Sequence, residues 1–107
     1  MDRFDANCYV ALTRQMNSHD ITRDRDGASV VLGALKVPAL VIGVTSDLLY
    51  PVWEQEELAD LIPNAELEVV DAPQGHDAFL IELDRLDKRI LDWLREIQEN
   101  EAKWKAA

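Results

Sequence analysis

The sequence predicts an α/β fold built on one βαβα unit with a pair of parallel strands. Three observations carry this. Residues 38–45, Pro-Ala-Leu-Val-Ile-Gly-Val-Thr, form a near-continuous apolar run behind a proline. Residues 66–70 alternate, with Leu67 and Val69 apolar beside Glu66 and Glu68. Each run is followed by a turn and then by a helical pattern, at 52–62 and again from residue 77. An apolar run without alternation marks a strand covered on both faces, the habit of parallel sheets.

Taken in order, residues 6–16 carry Tyr9, Leu12 and Met16 at spacings of three and four, which predicts a short amphipathic helix. Residues 17–27 are polar and close on Gly27, and read as a loop. Residues 29–35 predict one or two helical turns, with Ser29 as cap and Val31, Leu32 and Leu35 on one face. The strand at 38–45 leads into a loop at 45–51. The helix at 52–62 is ended by Pro63 and Asn64. After the second strand, Pro73 and Gly75 mark a turn over 71–76. Residues 77–98 place Phe79, Leu83, Leu86, Ile90, Trp93, Leu94 and Ile97 on one stripe, so a single helix of ~30 Å is predicted, with Trp93 in the core. The tail at 99–107 is expected to fray. Two parallel strands are too few for a stable sheet, so the chain reads as a piece of something larger.

The chain has 107 residues, with 11 Lys and Arg against 21 Asp and Glu, a net charge of −10. That balance excludes nucleic acid and anionic membrane as expected partners, since both need a basic face. No apolar run approaches the ~20 residues of a membrane span, and Met1-Asp2-Arg3-Phe4-Asp5 does not read as a signal peptide. A single cysteine, Cys8, excludes an internal disulfide and fits a reducing cytoplasm; on the first helix it reads as a small buried hydrophobe. Residues 1–36 hold five basic and five acidic side chains, so the whole excess of acid lies in the second part, much of it on the two later helices. Solvated helix faces account for it.

Functional groups in open α/β sheets gather beyond the carboxyl ends of the strands. Asp47 follows the first strand and His76 the second, 29 residues later. Neighbouring parallel strands lie ~4.8 Å apart, close enough for a carboxylate and an imidazole to meet. The carboxylate would fix the imidazole tautomer, leaving the other ring nitrogen to take a proton from a hydroxyl nucleophile. Asp before His, with Ser earlier, is the chain order of the α/β-hydrolases.

Four stretches make the resemblance specific: residues 3–12 (Arg-Phe-Asp-Ala-Asn-Cys-Tyr-Val-Ala-Leu), Ser18-His19-Asp20, residues 40–51 (Leu-Val-Ile-Gly-Val-Thr-Ser-Asp-Leu-Leu-Tyr-Pro) and residues 75–82 (Gly-His-Asp-Ala-Phe-Leu-Ile-Glu). Over residues 3–95 the chain resembles the C-terminal portion of homoserine O-acetyltransferases, of the α/β-hydrolase fold. The resemblance implies that residues 1–27 are the end of a helical lid with its connecting loop. It implies that residues 28–107 are the C-terminal α/β-hydrolase segment. Asp47 and His76 would then complete a Ser-His-Asp triad, and Asp77 would hold the amino group of homoserine. Acetyl-CoA would be the co-substrate, with no further cofactor and no metal, and the full-length enzyme would be a cytoplasmic homodimer of methionine biosynthesis.

One departure matters. The nucleophile elbow, Gly-x-Ser-x-Gly, is missing; Ser18, Ser29 and Ser46 are not flanked by glycines on a strand-to-helix turn. The chain is therefore expected to be inactive alone, with Ser46 the one serine near enough to substitute. Related serine O-acetyltransferases or homoserine O-succinyltransferases share these motifs, and a non-catalytic dimerising fragment is the alternative from another class. A plain hydrolase fits less well, and a receiver domain lacks its acidic pair and late lysine. A metal site from His19, Asp24, Asp26 and His76 has no helical i, i+4 pairing. His19-Asp20 reads as a structural hydrogen-bonding pair, Tyr50 as packing in the Asp47 loop, and Trp53, Trp93 and Trp104 show no nucleotide-stacking pattern.

Overall fold

The computed structural model describes residues 5–106, with side chains through residue 101. Two strands, β1 (Ala39–Val44) and β2 (Ala65–Val70), pair in parallel, with Gly43 beside Val69 and Val44 beside Val70. Before them lie α1 (Ala6–Ser18) and α2 (Ala28–Gly33); α3 (Val52–Leu61) joins the strands. After β2 come a 3₁₀ turn (Gly75–Asp77), α4 (Ala78–Ile81) and α5 (Leu83–Ala106). The order β1-α3-β2-α5 is the βαβα unit that the apolar run and the helical spacings predict.

Period-two geometry sorts the strand side chains onto two faces. A Cβ on Gly43 would meet Gln55 and Val52, so α3 lies on the face of Gly43 and Val69, over Gly43 and with Val69 left partly open. The opposite face holds Ile42, Val44 and Val70, packed with Ala72, Ala78 and Leu86. Arg89 of α5 also reaches Glu66 and Glu68 on that face, at 2.7 and 3.3 Å. The helices thus sandwich the sheet in three layers.

Several expectations are corrected. β1 is covered at its C-terminal end alone: Gly43 and Val44 are buried and the four residues before them are half-buried. Two helices cannot bury a strand whose second edge has no neighbour among the described residues. The single helix expected over 77–98 is divided. Glu82 leaves helical geometry (φ −86°, ψ 37°), and α5 then runs on to Ala106 instead of fraying after residue 98. Ser29 does not cap α2; Gly27 holds the cap position and makes no side-chain bond. Trp93 is half-buried, not core, because the stripe of α5 is longer than the sheet beneath it. Cys8 is exposed, since α1 buries none of its residues. Asp20 bonds Thr22, at its amide and its hydroxyl, and not His19. Residues Met1–Phe4 and Ala107, and the side chain of Trp104, lie outside the described residues.

Candidate active site

Both loops of interest leave the same end of the sheet. β1 ends at Val44, and Thr45 continues the ladder through its amide to Val70 O at 3.0 Å. Asp47 folds back, its N–H bonding Val44 O at 3.1 Å. This turn buries the carboxylate, which is 8% exposed. Oδ1 accepts the N–H groups of Leu49 and Tyr50, at 2.8 and 3.0 Å. Oδ2 lies 2.9 Å from Nδ1 of His76. Burial alone would raise the carboxyl pKa. The amide of Tyr50, His76 and the amide of Leu49 together outweigh it and hold Asp47 below the ordinary carboxylate range.

An ionised carboxylate is an acceptor only, so the proton of this bond sits on His76 Nδ1. Nε2 of the neutral ring is left as an acceptor. The imidazole is bracketed by two rings, Tyr50 at 5.1 Å and Phe79 at 5.5 Å between centroids.

The loop carrying His76 is shaped by Gly75, whose φ of +67° lies in the left-handed region. L-residues adopt that conformation at a cost, and glycine does not. Ser46 ties the two loops together. Its Oγ donates to Ala72 O at 2.5 Å and accepts the N–H of Gly75 at 2.8 Å. Thr45 Oγ1 adds a bond to Asp71 Oδ1 at 2.9 Å.

The structure therefore brings Asp47 and His76 together, as their positions after neighbouring parallel strands predict. Asp77 is exposed in the 3₁₀ turn next to His76, and its side chain makes no capping bond to α4. His19 lies on α1's C-terminal side, and among the described residues no group of three or more His, Cys, Asp or Glu gathers as metal ligands would. Sequence reasoning assigned no positioning role to Ser46, to the Tyr50 amide or to Phe79. The signal for Ser46 is two consecutive hydroxyls, Thr45 and Ser46, directly after a buried strand end. For Tyr50 and Phe79 the only signal is proximity in sequence to Asp47 and His76.

A groove of about 810 Å³ opens beside this pair. Its walls include Ile42 and Val44 of β1, Trp53 and Leu58 of α3, and Leu86 and Ile90 of α5. Asp47, Tyr50, His76 and Phe79 also border it.

No family profile matches the chain. Individual proteins do. The homoserine O-acetyltransferase of Salinibacter ruber is 59% identical over 93 residues, which is 87% of this chain and 26% of that protein. Over almost its whole length, the chain is similar to the C-terminal portion of homoserine O-acetyltransferases. The enzyme of Saccharomyces pastorianus is 48% identical over 96 residues, 89% of this chain and 20% of the relative. That of Chlorobium chlorochromatii is 46% identical over 98 residues, 92% and 28%. The chain thus spans between a fifth and somewhat over a quarter of the curated relatives it matches. Among solved structures, an acetylester hydrolase from Corynebacterium glutamicum superposes with a TM-score of 0.65 at 26% identity, over 70% of this chain and 22% of that one. The fold is a C-terminal piece of an α/β-hydrolase.

Proposed function

We propose that this chain supplies the general base and its orienting carboxylate to a homoserine O-acetyltransferase whose nucleophilic Ser lies upstream of it. The observation that carries the reading is the 2.9 Å contact between His76 Nδ1 and Asp47 Oδ2, in a chain similar to these enzymes. The chemistry runs in two halves. The Ser hydroxyl gives its proton to His76 Nε2 and attacks the thioester carbonyl of acetyl-CoA. The CoA sulfur leaves with that proton, and acetyl-Ser remains. The homoserine hydroxyl then gives its proton to His76 and attacks the acetyl-Ser carbonyl. O-acetylhomoserine departs and Ser recovers the proton. Asp47 holds the ring and stabilises the imidazolium in both halves. Asp77, exposed and uncommitted to a helix cap, holds the homoserine ammonium by a charge-assisted hydrogen bond. The enzyme works in the cytoplasm, as a homodimer, in methionine biosynthesis.

A chimaera tests this. The segment replaces the matching 93 residues of the Salinibacter ruber relative, and acetyl transfer to homoserine is followed. The chimaera is expected to turn over, and the 107-residue chain alone is expected to show none. Asp47→Asn should lower kcat by on the order of 10⁴-fold, as loss of the orienting carboxylate does in such triads. His76→Ala should do at least as much harm. An active His76→Ala chimaera would remove the pair from the mechanism. Asp77→Asn should raise the KM for homoserine and leave acetyl-enzyme formation from acetyl-CoA unchanged, because no ammonium is present in that half. Normal homoserine kinetics with a lower Tm would make Asp77 structural.

A further inference from the structure

We infer that Ser46 is a positioning residue, whose hydroxyl clasps the two loops and sets the Asp47–His76 distance. The inference rests on the reading of that pair as the working base and its orienter. Asp47 and His76 sit on separate loops that meet beyond the sheet. The ladder between β1 and β2 ends at Thr45, whose amide makes the last strand-to-strand bond to Val70 O. Beyond that point the backbone gives no register between the loops, and side chains must supply it.

Ser46 does so with one oxygen used in both senses. Its Oγ–H donates to Ala72 O, and its lone pair accepts the N–H of Gly75. Ala72 and Gly75 are the two ends of the short turn that leads to His76, and Ala72 is 3% exposed. Ser46 is itself joined to Asp47 by one peptide bond, and Gly75 to His76 by another. The bonds from Ser46 Oγ thus close a small ring through both members of the pair. A Cβ on Gly75 would lie 3.6 Å from the Ser46 carbonyl oxygen, so the two backbones are also in close approach there. Thr45 Oγ1 reinforces the seam through Asp71. It reaches no residue from 73 to 76, so apart from the Asp47–His76 bond itself it is Ser46, among the described residues, whose side chain spans to the His76 side. With its donor and acceptor capacity both engaged, Ser46 is held as a structural clasp. It is a poor candidate to replace the missing nucleophile.

The first arm of the test uses the 107-residue chain itself. The proton on His76 Nδ1, held by Asp47, gives a far-downfield proton resonance outside the amide region. Ser46→Ala should broaden or abolish it while the strand amides keep their dispersion. Ser46→Thr, which keeps the hydroxyl, should restore it, and Ser46→Val, its isostere without one, should not. The second arm uses the chimaera. There Ser46→Ala should lower kcat on the order of 10²-fold, the effect of a small misplacement of a catalytic group. The KM for homoserine should stay put, and Ser46→Thr should recover activity where Ser46→Val does not. An undisturbed resonance and kcat in Ser46→Ala would overturn the clasp, as would identical behaviour of the Thr and Val variants. Global unfolding in Ser46→Ala would count against it too, since the hydroxyl would then hold the whole unit and not the pair. An inactive unmodified chimaera would defeat the catalytic reading, while the resonance would still decide the clasp.

Discussion

At the scale of single residues, Asp47 shows how a buried charge is made tolerable. Two backbone amides and an imidazole meet its two oxygens, so the ionised form is better solvated by the protein than burial alone would allow. A carboxyl whose folded pKa is depressed adds stability above its unfolded value of about 3.9. That contribution fades as pH falls through the lower folded value. Asp20 and Asp92 are depressed as well, by Thr22 and by Lys88 in turn, so acid destabilisation is shared. The difference isolates Asp47. Wild type should have a higher Tm than Asp47→Asn near neutral pH, and the gap should begin to narrow once pH drops below about 4 and close only below the depressed folded value. Paired thermal melts across the acid range check this; a gap that persisted in strong acid would mean the lost stability was not electrostatic. Gly75 offers a second test. Its φ of +67° costs an L-residue about 1–2 kcal/mol, so Gly75→Ala should lose about that much in urea unfolding.

Among the elements, α5 is the one whose fit to the sheet is decided by charge as well as by apolar contact. Arg89 is three-quarters buried and reaches two carboxylates on β2. Glu66 holds the guanidinium proton most firmly, and Glu68 adds to it against the effect of burial. Glu66 is half exposed, so its pairing is worth little more than about 1 kcal/mol. Glu66→Gln and Glu68→Gln should therefore each cost about 1 kcal/mol or less, and a double-mutant cycle against Arg89→Met would separate the two couplings. The elements also mark where the sequence was readable. Both strands and α3 were plain from apolar runs and proline punctuation, to within a residue or two. That Asp47 and His76 meet was legible because a strand end determines where its next residue goes. The division of the last helix was not legible. Phe79, Leu83, Leu86 and Ile90 keep helical spacing straight through Glu82, with no proline or glycine to announce a break. Its visible correlate is a bond across space, Gln74 Nε2 to Glu82 Oε1 at 3.2 Å, and no local pattern encodes that. Burial was overstated at Cys8, at Trp93 and along β1 for one reason. An apolar pattern reports what a residue is suited to cover, and among the described residues no surface meets it at these positions.

That shortfall is measurable for the molecule as a whole. The chain exposes 8607 Å², where a compact monomer of 12.1 kDa exposes about 6,000 Å². Its radius of gyration is 17.3 Å, against about 13 Å for a compact domain of this length. Leu48, Leu49 and Trp53 are among the large side chains left open to solvent. β1 has a backbone edge to match. Ala39 and Thr45 turn their N–H groups toward β2, so by the two-residue period Leu40 and Ile42 turn theirs to the open side. Unpaired strand edges recruit other chains, so the isolated chain should form dimers and larger species as its concentration rises. The charge of −10 opposes contact between copies, and salt screens it; association should therefore strengthen with ionic strength. Sedimentation velocity over a range of concentration and salt reads this directly. Leu40→Pro identifies the surface responsible. It removes an N–H from the open edge and none from the ladder to β2, so the fold should survive with little change in circular dichroism while association falls. If Leu40→Pro associates as strongly as wild type, copies meet through the apolar groove between α3 and α5 and not through the strand edge. A wild-type monomer that stays monodisperse at high concentration and high salt would mean that neither surface is adhesive.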